Sequence, residues 1–374
     1  MDTRLRNMAS IDSDVTGNPY DITKDLPSLQ FENGLSDLER DYMCLRSRSH
    51  ALTVSVCAQA TYFIAILNEA RKCILEAKTP NVSKTSKFLQ EAPPRDPTKV
   101  GVIGCGRLGL HLTNCLLTYA NVDPEDIKVS TRKPETLSSL KEKGVRCCND
   151  NASVASSVDV LFFCVLPSQL PTVAKDIADH LKDHTIIYSF LSAIPIKRLQ
   201  QLLHSVNIIQ PEITWQAKNA DASWNVTQDV NLALENQQQV EVTCPLSSFK
   251  QEAIVETNEK WFELILYAFV NVCKQLQVER EKAVNIVNIV VLGQSPSRKY
   301  LSKFVTDDFT KRQDMWPVFN LGAVAANPTP VTSTITNNVE LRQMMHKKYK
   351  NNFDKFVYWK GIKQIKAKDN GNDT

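Results

Sequence analysis

The stretch that decides the fold is KVGVIGCGRLGLHL, which spans residues 99–112. Of the chain's eleven glycines, four lie between Gly101 and Gly109. Glycine allows a sharp turn, or a close approach of the backbone to another group, at a cost in chain entropy. An apolar run precedes these glycines and a helix-like run follows them. The spacing Gly104-x-Gly106-x-x-Gly109 therefore stands at a predicted strand–helix junction.

Outward from this junction, short runs rich in β-branched residues alternate with helix-like stretches. One of these runs, VDVLFFCVLP, is apolar on both faces, which is typical of a strand covered on each side in a parallel sheet. The alternation predicts an α/β fold with a doubly wound Rossmann parallel sheet. The predicted strands are Val100–Gly104, Ile127–Thr131, Val145–Cys148, Val160–Val165, Thr185–Phe190 and Val206–Gln210.

In this setting the glycine spacing is the fingerprint of a dinucleotide-binding loop. Gly104 permits the tight turn, Gly106 lets the backbone approach a pyrophosphate, and Gly109 lets the helix pack on the strand. The N–H groups and the dipole at the start of the helix then hold the phosphate charge. The predicted cofactor-binding residues of this loop are Gly104, Cys105, Gly106, Arg107, Leu108 and Gly109.

The end of the second predicted strand indicates which dinucleotide is bound. NAD-binding proteins commonly have an acidic residue there, which holds the ribose 2′-hydroxyl. This chain instead has Ser130, Thr131 and Arg132, followed by Lys133. Hydroxyls and a guanidinium suit a 2′-phosphate, so the sequence favours NADP(H) over NAD. The alternative is that Arg132 and Lys133 are solvated residues that lead into a helix.

Composition excludes several other classes of protein. The net charge is only +3, which does not favour nucleic acid as a partner. The ten cysteines show no CxxC or Cys/His ligand spacing, so neither a metal site nor a disulfide framework is predicted. Residues 1–16 contain no apolar run of the secretory type, and a cytoplasmic location is expected. The uncharged run Ala51–Leu67 is interpreted as a buried helix, with no stable membrane association.

The chain is divided at shifts in composition. Residues 1–35 are polar and predicted to be loop or disordered, and residues 36–97 form a helical extension and a proline-rich linker. Residues 98–215 are the Rossmann domain. Residues 216–350 comprise an irregular segment and an all-α dimerisation-type domain, and residues 351–374 are a basic tail.

Two stretches in the fourth of these regions are apolar nearly all the way round a helix. They are EKWFELILYAFVNVCKQLQ, residues 259–277, and EKAVNIVNIVVLG, residues 281–293. Such helices are buried on more than one side. A second copy of the chain is the cover expected in so small a domain, and a homodimer through these helices is predicted.

Several segments, in order, make the chain similar to the pyrroline-5-carboxylate reductase family. They are GVIGCGRLGLHL, VSTRKPETLSSLKEKGV, DNASVASSVDVLFFCVLPSQLPTV, TIIYSFLSAIPIKRLQQLL and NIIQPEITW. The resemblance covers residues 98–215, and more loosely the region to about 295. It implies a Rossmann domain followed by an interlocking helical dimer domain, with hydride transfer from NADPH to a C=N bond. It also implies that Val165, Leu166 and Pro167 pass the nicotinamide, and that Pro211 begins the substrate-side loop.

The departures from that family concern the substrate half of the site. Leu166 stands where the family has a lysine, and Glu212 replaces an asparagine in the substrate-side loop. No counterpart of the loop that receives the substrate carboxylate is found. The region instead reads VTDDFTKRQDM, whose Asp307 and Asp308 would repel a carboxylate.

Candidate catalytic residues follow from these positions. Ser192, Pro211 and Glu212 are expected at the carboxyl ends of strands, on the substrate side. Glu212 is either a proton donor or a solvated loop carboxylate. Lys274 has an Asn-x-x-Lys spacing used by β-hydroxyacid dehydrogenases, or else it snorkels from a buried helix.

Two functions remain open at this point. The first is an NADPH-dependent oxidoreductase that acts on a small-molecule imine or carbonyl substrate. The alternative is a catalytically silent NADP-binding protein that serves as a sensor or an assembly partner.

Overall fold

A computed structural model of the chain describes residues 34–78, 96–216, 224, 226–227, 229–247, 254–292, 301, 304 and 316–369. The chain forms two compact units, Met1–Ser47 and Arg48–Thr374. In the first unit, helix α1 (Asp37–Asp41) begins after Ser36, whose hydroxyl donates to the Glu39 carboxylate at 2.7 Å. The loop or disorder predicted for residues 1–35 lies almost entirely outside the described residues.

The second unit is built on a six-stranded parallel sheet with the order β3-β2-β1-β4-β5-β6. All six predicted strands are present, and the doubly wound Rossmann class is confirmed. We call the edge formed by the ends of these strands the carboxyl edge, and the opposite edge the amino edge. The strand order reverses between β1 and β4, and this is where such sheets bind ligands. The strands are β1 Val100–Ile103, β2 Ile127–Ser130, β3 Arg146–Cys148, β4 Val160–Phe163, β5 Ile186–Ser189 and β6 Ile208–Ile209.

Helices cover both faces of the sheet. On the first face lie α5 (Asn151–Ser157), α6 (Leu170–Ile177) and α7 (Ile196–Leu203), which pack against Ile103, Leu161 and Phe163. On the second face lie α2 (Met43–Lys78) from residue 48 onward, α3 (Arg107–Tyr119) and α4 (Ser138–Glu142), together with helices from the end of the chain. Short 3-10 turns occur at Pro124–Asp126, Pro134–Leu137, Pro167–Gln169 and Ala178–His180.

The C-terminal half adds a two-stranded antiparallel sheet and seven helices among the described residues. This small sheet pairs β7 (Ile213–Trp215) with β8 (Val255–Thr257). The helices are α8 Val230–Glu235, α9 Gln237–Thr243, α10 Lys260–Gln275, α11 Arg280–Leu292, α12 Leu321–Ala326, α13 Pro330–Asn337 and α14 Val339–Asp369.

Helix α2 is a core element, although the sequence suggested an extension. The ring of Tyr62 lies 4.9 Å from that of Tyr349 and 6.1 Å from that of Phe262, measured between centroids. The Phe63 ring lies 5.9 Å from that of Tyr188 on strand β5. From residue 48 onward, α2 therefore joins the Rossmann sheet to the C-terminal helices in one hydrophobic core.

Polar side chains near the end of α2 hold the amino edge. The Asn68 side chain accepts from the Thr98 N–H at 3.0 Å and donates to the Ala120 carbonyl at 3.0 Å. Arg71 pairs with Asp159 at 3.1 Å. These contacts fix the start of β1, so α2 also sets the position of the strand that leads to the glycine loop.

Among the described residues, one helix, Leu45–Glu76, is long and apolar enough to cross a membrane. However, 78% of its most apolar window is buried within the fold. This burial agrees with the prediction of a buried helix over Ala51–Leu67.

Burial of α10 takes place within one chain. Every residue from Trp261 to Cys273 is buried. The cover comes from α2, through Tyr62, and from α14, through Tyr349. The reason given for a homodimer, that a second copy must cover this helix, is therefore wrong.

The basic tail begins as part of a helix. Helix α14 continues to Asp369, and Phe353 is buried against Tyr119 and Tyr349, with ring centroids 5.4 and 5.5 Å apart. The side chains after Asp354 lie outside the described residues.

Candidate functional site

The glycine loop begins where β1 ends at the carboxyl edge. Gly104 has a φ of +91°, which disfavours any residue with a side chain, and its N–H donates to the Ser130 carbonyl at 3.0 Å. A Cβ atom at this position would lie 2.7 Å from Val165 Cγ1. The turn and its packing against the end of β4 therefore both require glycine.

The other two glycines of the loop differ in what surrounds them. A Cβ atom on Gly109 would lie 2.5 Å from the Gly104 carbonyl oxygen, so this glycine permits α3 to pack on the turn. Gly106 is exposed, and a Cβ atom there would have no neighbour within 4 Å. Its φ of −81° is also open to other residues. The fold itself does not require Gly106, which leaves close approach of a ligand as the physical reason for a glycine there.

The start of α3 is an open anion site next to Gly106. The first N–H groups of an α-helix have no acceptor within the helix. Gly106, as the N-cap, supplies no side-chain acceptor, and no acidic residue lies in the first turn. The N–H groups of residues 107–109 therefore remain available to a phosphate, as the helix dipole also favours.

At the end of β2, Ser130 supports the site, while Arg132 and Lys133 after the strand face solvent. Ser130 is 1% exposed, and its hydroxyl donates to the Asn151 side chain at 2.7 Å. Arg132 and Lys133 are exposed, and among the described residues neither side chain forms an ion pair. The predicted contact with the ribose therefore depends on Arg132 and on the half-buried Thr131, while Ser130 positions the strand end.

The loop after β4 presents an apolar side chain at the carboxyl edge. Leu166 is 65% exposed, and its N–H donates to the Gln169 side chain at 3.3 Å. Pro167 begins the 3-10 turn, and Val165 faces Gly104. Val165 therefore borders the glycine loop, with Leu166 and Pro167 directly after it, and their contact with the nicotinamide stays a prediction.

The substrate-side candidates lie at the same edge, beyond β5 and β6. Ser192 is exposed in the turn after β5, Pro211 is buried, and Glu212 is exposed between β6 and β7. Glu212 contacts Asn258 twice: its Oε2 accepts from the Asn258 side chain and its carbonyl accepts from the Asn258 N–H, each at 2.8 Å.

The structure corrects the prediction of Lys274 as the remaining catalytic candidate. One turn before it on α10, the Asn271 side chain donates to Asn207 at 3.1 Å and to the Phe319 carbonyl at 3.0 Å. Asn207 precedes β6 and also donates to the His184 carbonyl at 3.2 Å, at the amino edge. Lys274 therefore lies at the edge opposite the glycine loop and is not a catalytic candidate.

Two residues of the carboxyl edge were missed in the sequence analysis. Asn258 fixes Glu212 from 46 positions away, and the only local signal for it was its position before α10, where its side chain accepts from the Lys260 N–H at 2.9 Å. Phe190, which follows β5, stacks on Phe162 with centroids 6.2 Å apart. Within the described part of the chain, no group of three or more His, Cys, Asp or Glu residues is placed to hold a metal ion.

The Cys105 thiol gives the loop a testable pH dependence. Desolvation, with the neighbouring Cys147 thiol as the smaller cause, raises the pKa of Cys105 to about 12. The folded chain then keeps a proton that the unfolded chain loses near pH 9, so stability falls as the pH rises from 9 towards 12. We expect this group to contribute a slope of about 1.4 kcal/mol per pH unit in that window. Urea unfolding at a series of pH values should give a shallower decline for Cys105→Ala, and an unchanged slope would contradict the assignment.

Comparison with known proteins gave matches to a family model and to relatives in sequence. The family model described as NADP oxidoreductase, coenzyme F420-dependent, matches residues 99–190. The Mus musculus protein NADP-dependent oxidoreductase domain-containing protein 1 is 32% identical over 335 residues, which cover 86% of this chain and 90% of that protein. Pyrroline-5-carboxylate reductase 3 of Danio rerio is 28% identical over 123 residues, which cover 33% of this chain and 43% of that enzyme. The resemblance stated from the sequence is confirmed.

Solved structures were also matched. A pyrroline-5-carboxylate reductase from Coxiella burnetii aligns with 69% of this chain and 97% of its own, at 19% identity and a TM-score of 0.29. A Plasmodium falciparum pyrroline carboxylate reductase with NADP bound aligns with 70% of this chain and 97% of its own, at 13% identity and a TM-score of 0.27.

Proposed function

Because the chain belongs to the family of NADP-dependent oxidoreductase domain-containing protein 1, which is related to the pyrroline-5-carboxylate reductases, we propose that it is an NADP(H)-dependent oxidoreductase acting on a small-molecule C=N or C=O substrate. The observation that carries this proposal is the open space at Gly106 beside the uncapped start of α3. The fold does not require a glycine at position 106, and the N–H groups beside it suit a dinucleotide diphosphate.

Each part of the loop has a role in holding the cofactor. Gly104 makes the turn, Gly106 leaves room for the diphosphate, and the N–H groups at the start of α3 donate to it. Arg132 lies at the end of β2, where it suits a ribose 2′-phosphate. When bound, the nicotinamide ring supplies the hydride, and Val165 and Leu166 border the place where that ring would lie.

Arg132→Ala tests the choice of NADP(H) over NAD(H). Removing the guanidinium should weaken NADPH binding about 10- to 100-fold, because charge-assisted bonds to a phosphate are lost, and leave NADH binding unchanged. Fluorescence titration of both cofactors measures the effect. Arg198→Ala, which removes an exposed arginine from α7, is the matched control. An equal loss for both cofactors would contradict the 2′-phosphate assignment.

The catalytic part of the proposal is tested by NADPH oxidation. Purified protein is mixed with NADPH and a panel of cyclic imines and 2-keto acids, and absorbance at the reduced nicotinamide band is followed. We expect steady oxidation with at least one acceptor. Tight NADPH binding with no oxidation by any acceptor would contradict catalysis and favour the silent cofactor-binding alternative.

Assembly and location are separate proposals. A homodimer would need a surface other than the buried face of α10, and light scattering against the chain mass of 42.1 kDa tests it. Every cysteine whose side chain the structure describes is a free thiol, which supports the proposed cytoplasmic location.

A further inference from the structure

We propose, on the basis of the function above, that the substrate is an imine protonated on nitrogen, with an apolar body and no acidic group, and that Glu212 is its counter-charge. This substrate class differs from a carboxylate-bearing imine. The proposal rests on the charges and the apolar side chains that surround the carboxyl edge beyond the glycine loop.

The loops that border this part of the site carry no cation. They are residues 164–169 after β4, residues 190–195 after β5 and residues 210–216 after β6, and none of them contains Lys or Arg. Glu212 is their one charged residue. A substrate carboxylate placed against these loops would find no counter-charge in them and would lie near a like charge, which is unfavourable.

Among the described residues, and apart from the exposed Arg107 at the start of α3 in the glycine loop, the cations near Asn258 on the second face are already paired. The Lys260 ammonium lies 2.8 Å from the carboxylate of Glu263, which is 2% exposed, and also donates to the Asn327 carbonyl at 2.7 Å. The Arg342 guanidinium makes two bonds to Glu259, at 2.6 and 2.8 Å. Each positive charge is offset by its own carboxylate, so neither is available to an anionic substrate.

The next cations along the chain after the loop of residues 190–195 belong to the first face. Lys197 and Arg198 are exposed on the first turn of α7. Helix α7 packs through Leu199 and Leu203 on the face of the sheet opposite to α2 and α10. These cations therefore lie on the first face, across the sheet from Asn258, which binds Glu212.

The apolar character of the site comes from two strand ends. Leu166 extends into solvent after β4, and Phe190 follows β5 on the second face, stacked on Phe162 and tilted against Tyr188 with centroids 5.2 Å apart. Such surfaces favour a hydrocarbon or aromatic substrate body.

Glu212 is held in a way that suits a counter-charge. Its Oε2 accepts from Asn258, and its Oε1 has no hydrogen-bond partner among the described residues. A carboxylate in this state attracts a cationic C=N–H group and accepts its N–H bond.

The reduction of the protonated imine balances without a separate proton donor. Hydride adds to the imine carbon, the C=N π pair becomes the nitrogen lone pair, the product is a neutral amine, and the reduced cofactor becomes NADP⁺. The nitrogen already carries its proton, which explains why no acid is needed at this edge.

The experiment compares a matched pair of imines, 1-pyrroline and pyrroline-5-carboxylate, with NADPH binding measured separately by fluorescence. We expect kcat/KM to be at least about tenfold higher for 1-pyrroline, because it lacks the carboxylate that would lie unfavourably near Glu212. Glu212→Gln should lower kcat/KM for 1-pyrroline at least about tenfold, mainly through KM, with unchanged NADPH affinity. Glu125→Gln, which makes the same change at an exposed residue of the amino edge, is the control and should have no effect.

Leu166→Lys provides the converse test. Because Leu166 is exposed, the lysine should be tolerated, and it should shift the preference towards pyrroline-5-carboxylate. A wild-type preference for the carboxylate, or an unchanged kcat/KM in Glu212→Gln, overturns the inference while NADPH-dependent reduction itself stands. If the wild type does not bind NADPH, or if it reduces no imine, the proposed function is overturned as well.

Discussion

Gly106→Asp is expected to fold as stably as the parent chain and to bind NADPH at least about 100-fold more weakly, a change of about 2.7 kcal/mol. The new side chain has open space around it, because a Cβ atom at Gly106 meets nothing within 4 Å. Its backbone φ of −81° is accessible to any residue. The added carboxylate would lie against the start of α3, where it competes for the N–H groups and repels the diphosphate.

Neighbouring glycines provide the controls for this experiment. Gly109→Ala should destabilise the fold itself, since its Cβ would lie 2.5 Å from the Gly104 carbonyl oxygen. Gly106→Ala should keep its stability and lose less NADPH affinity than Gly106→Asp. Urea unfolding and fluorescence titration separate the two effects. Unchanged NADPH affinity in well-folded Gly106→Asp would contradict the assigned site.

Tyr62→Ala is expected to lower the free energy of unfolding by about 3–5 kcal/mol. Tyr62 is 1% exposed and packs between α10 and α14, with its ring near Trp261, Phe262 and Tyr349. Truncation would leave a cavity where α2 joins the sheet unit to the C-terminal helices. Chemical denaturation followed by circular dichroism measures the loss.

Tyr62→Phe is the matched control for that truncation. The Tyr62 hydroxyl is buried without a hydrogen-bond partner among the described residues. Removing it keeps the ring contacts and relieves an unpaired polar group, so stability should be unchanged or raised by up to about 1 kcal/mol. A small effect of Tyr62→Ala would contradict the core role assigned to α2.

The sheet could be predicted from the sequence because its signals are local. Strands such as Val160–Phe163 are apolar on both faces, and parallel burial is the simplest way to satisfy such a run. The glycine loop was equally local, since the positive φ of Gly104 and the tight packing of Gly109 depend on neighbours within a few residues and on adjacent strands.

Contacts between distant parts of the chain could not be predicted in this way. The apolar character of α10 indicated burial on several sides, but not that α2, some 200 positions earlier, supplies the cover. The spacing of Asn271 and Lys274 described one helix face and carried no information about which edge of the sheet that face meets. The bond between Glu212 and Asn258 likewise depends on the long-range pairing of β7 with β8.

Hydrogen–deuterium exchange of the wild-type chain, with and without saturating NADPH, tests most directly where the cofactor lies. We predict that amides of residues 104–110 and 130–133 exchange several-fold more slowly in the presence of NADPH, and that the amino-edge amides around Asn207 and Asn271 do not change. Exchange at residues 104–110 that is the same with and without saturating NADPH would contradict the account.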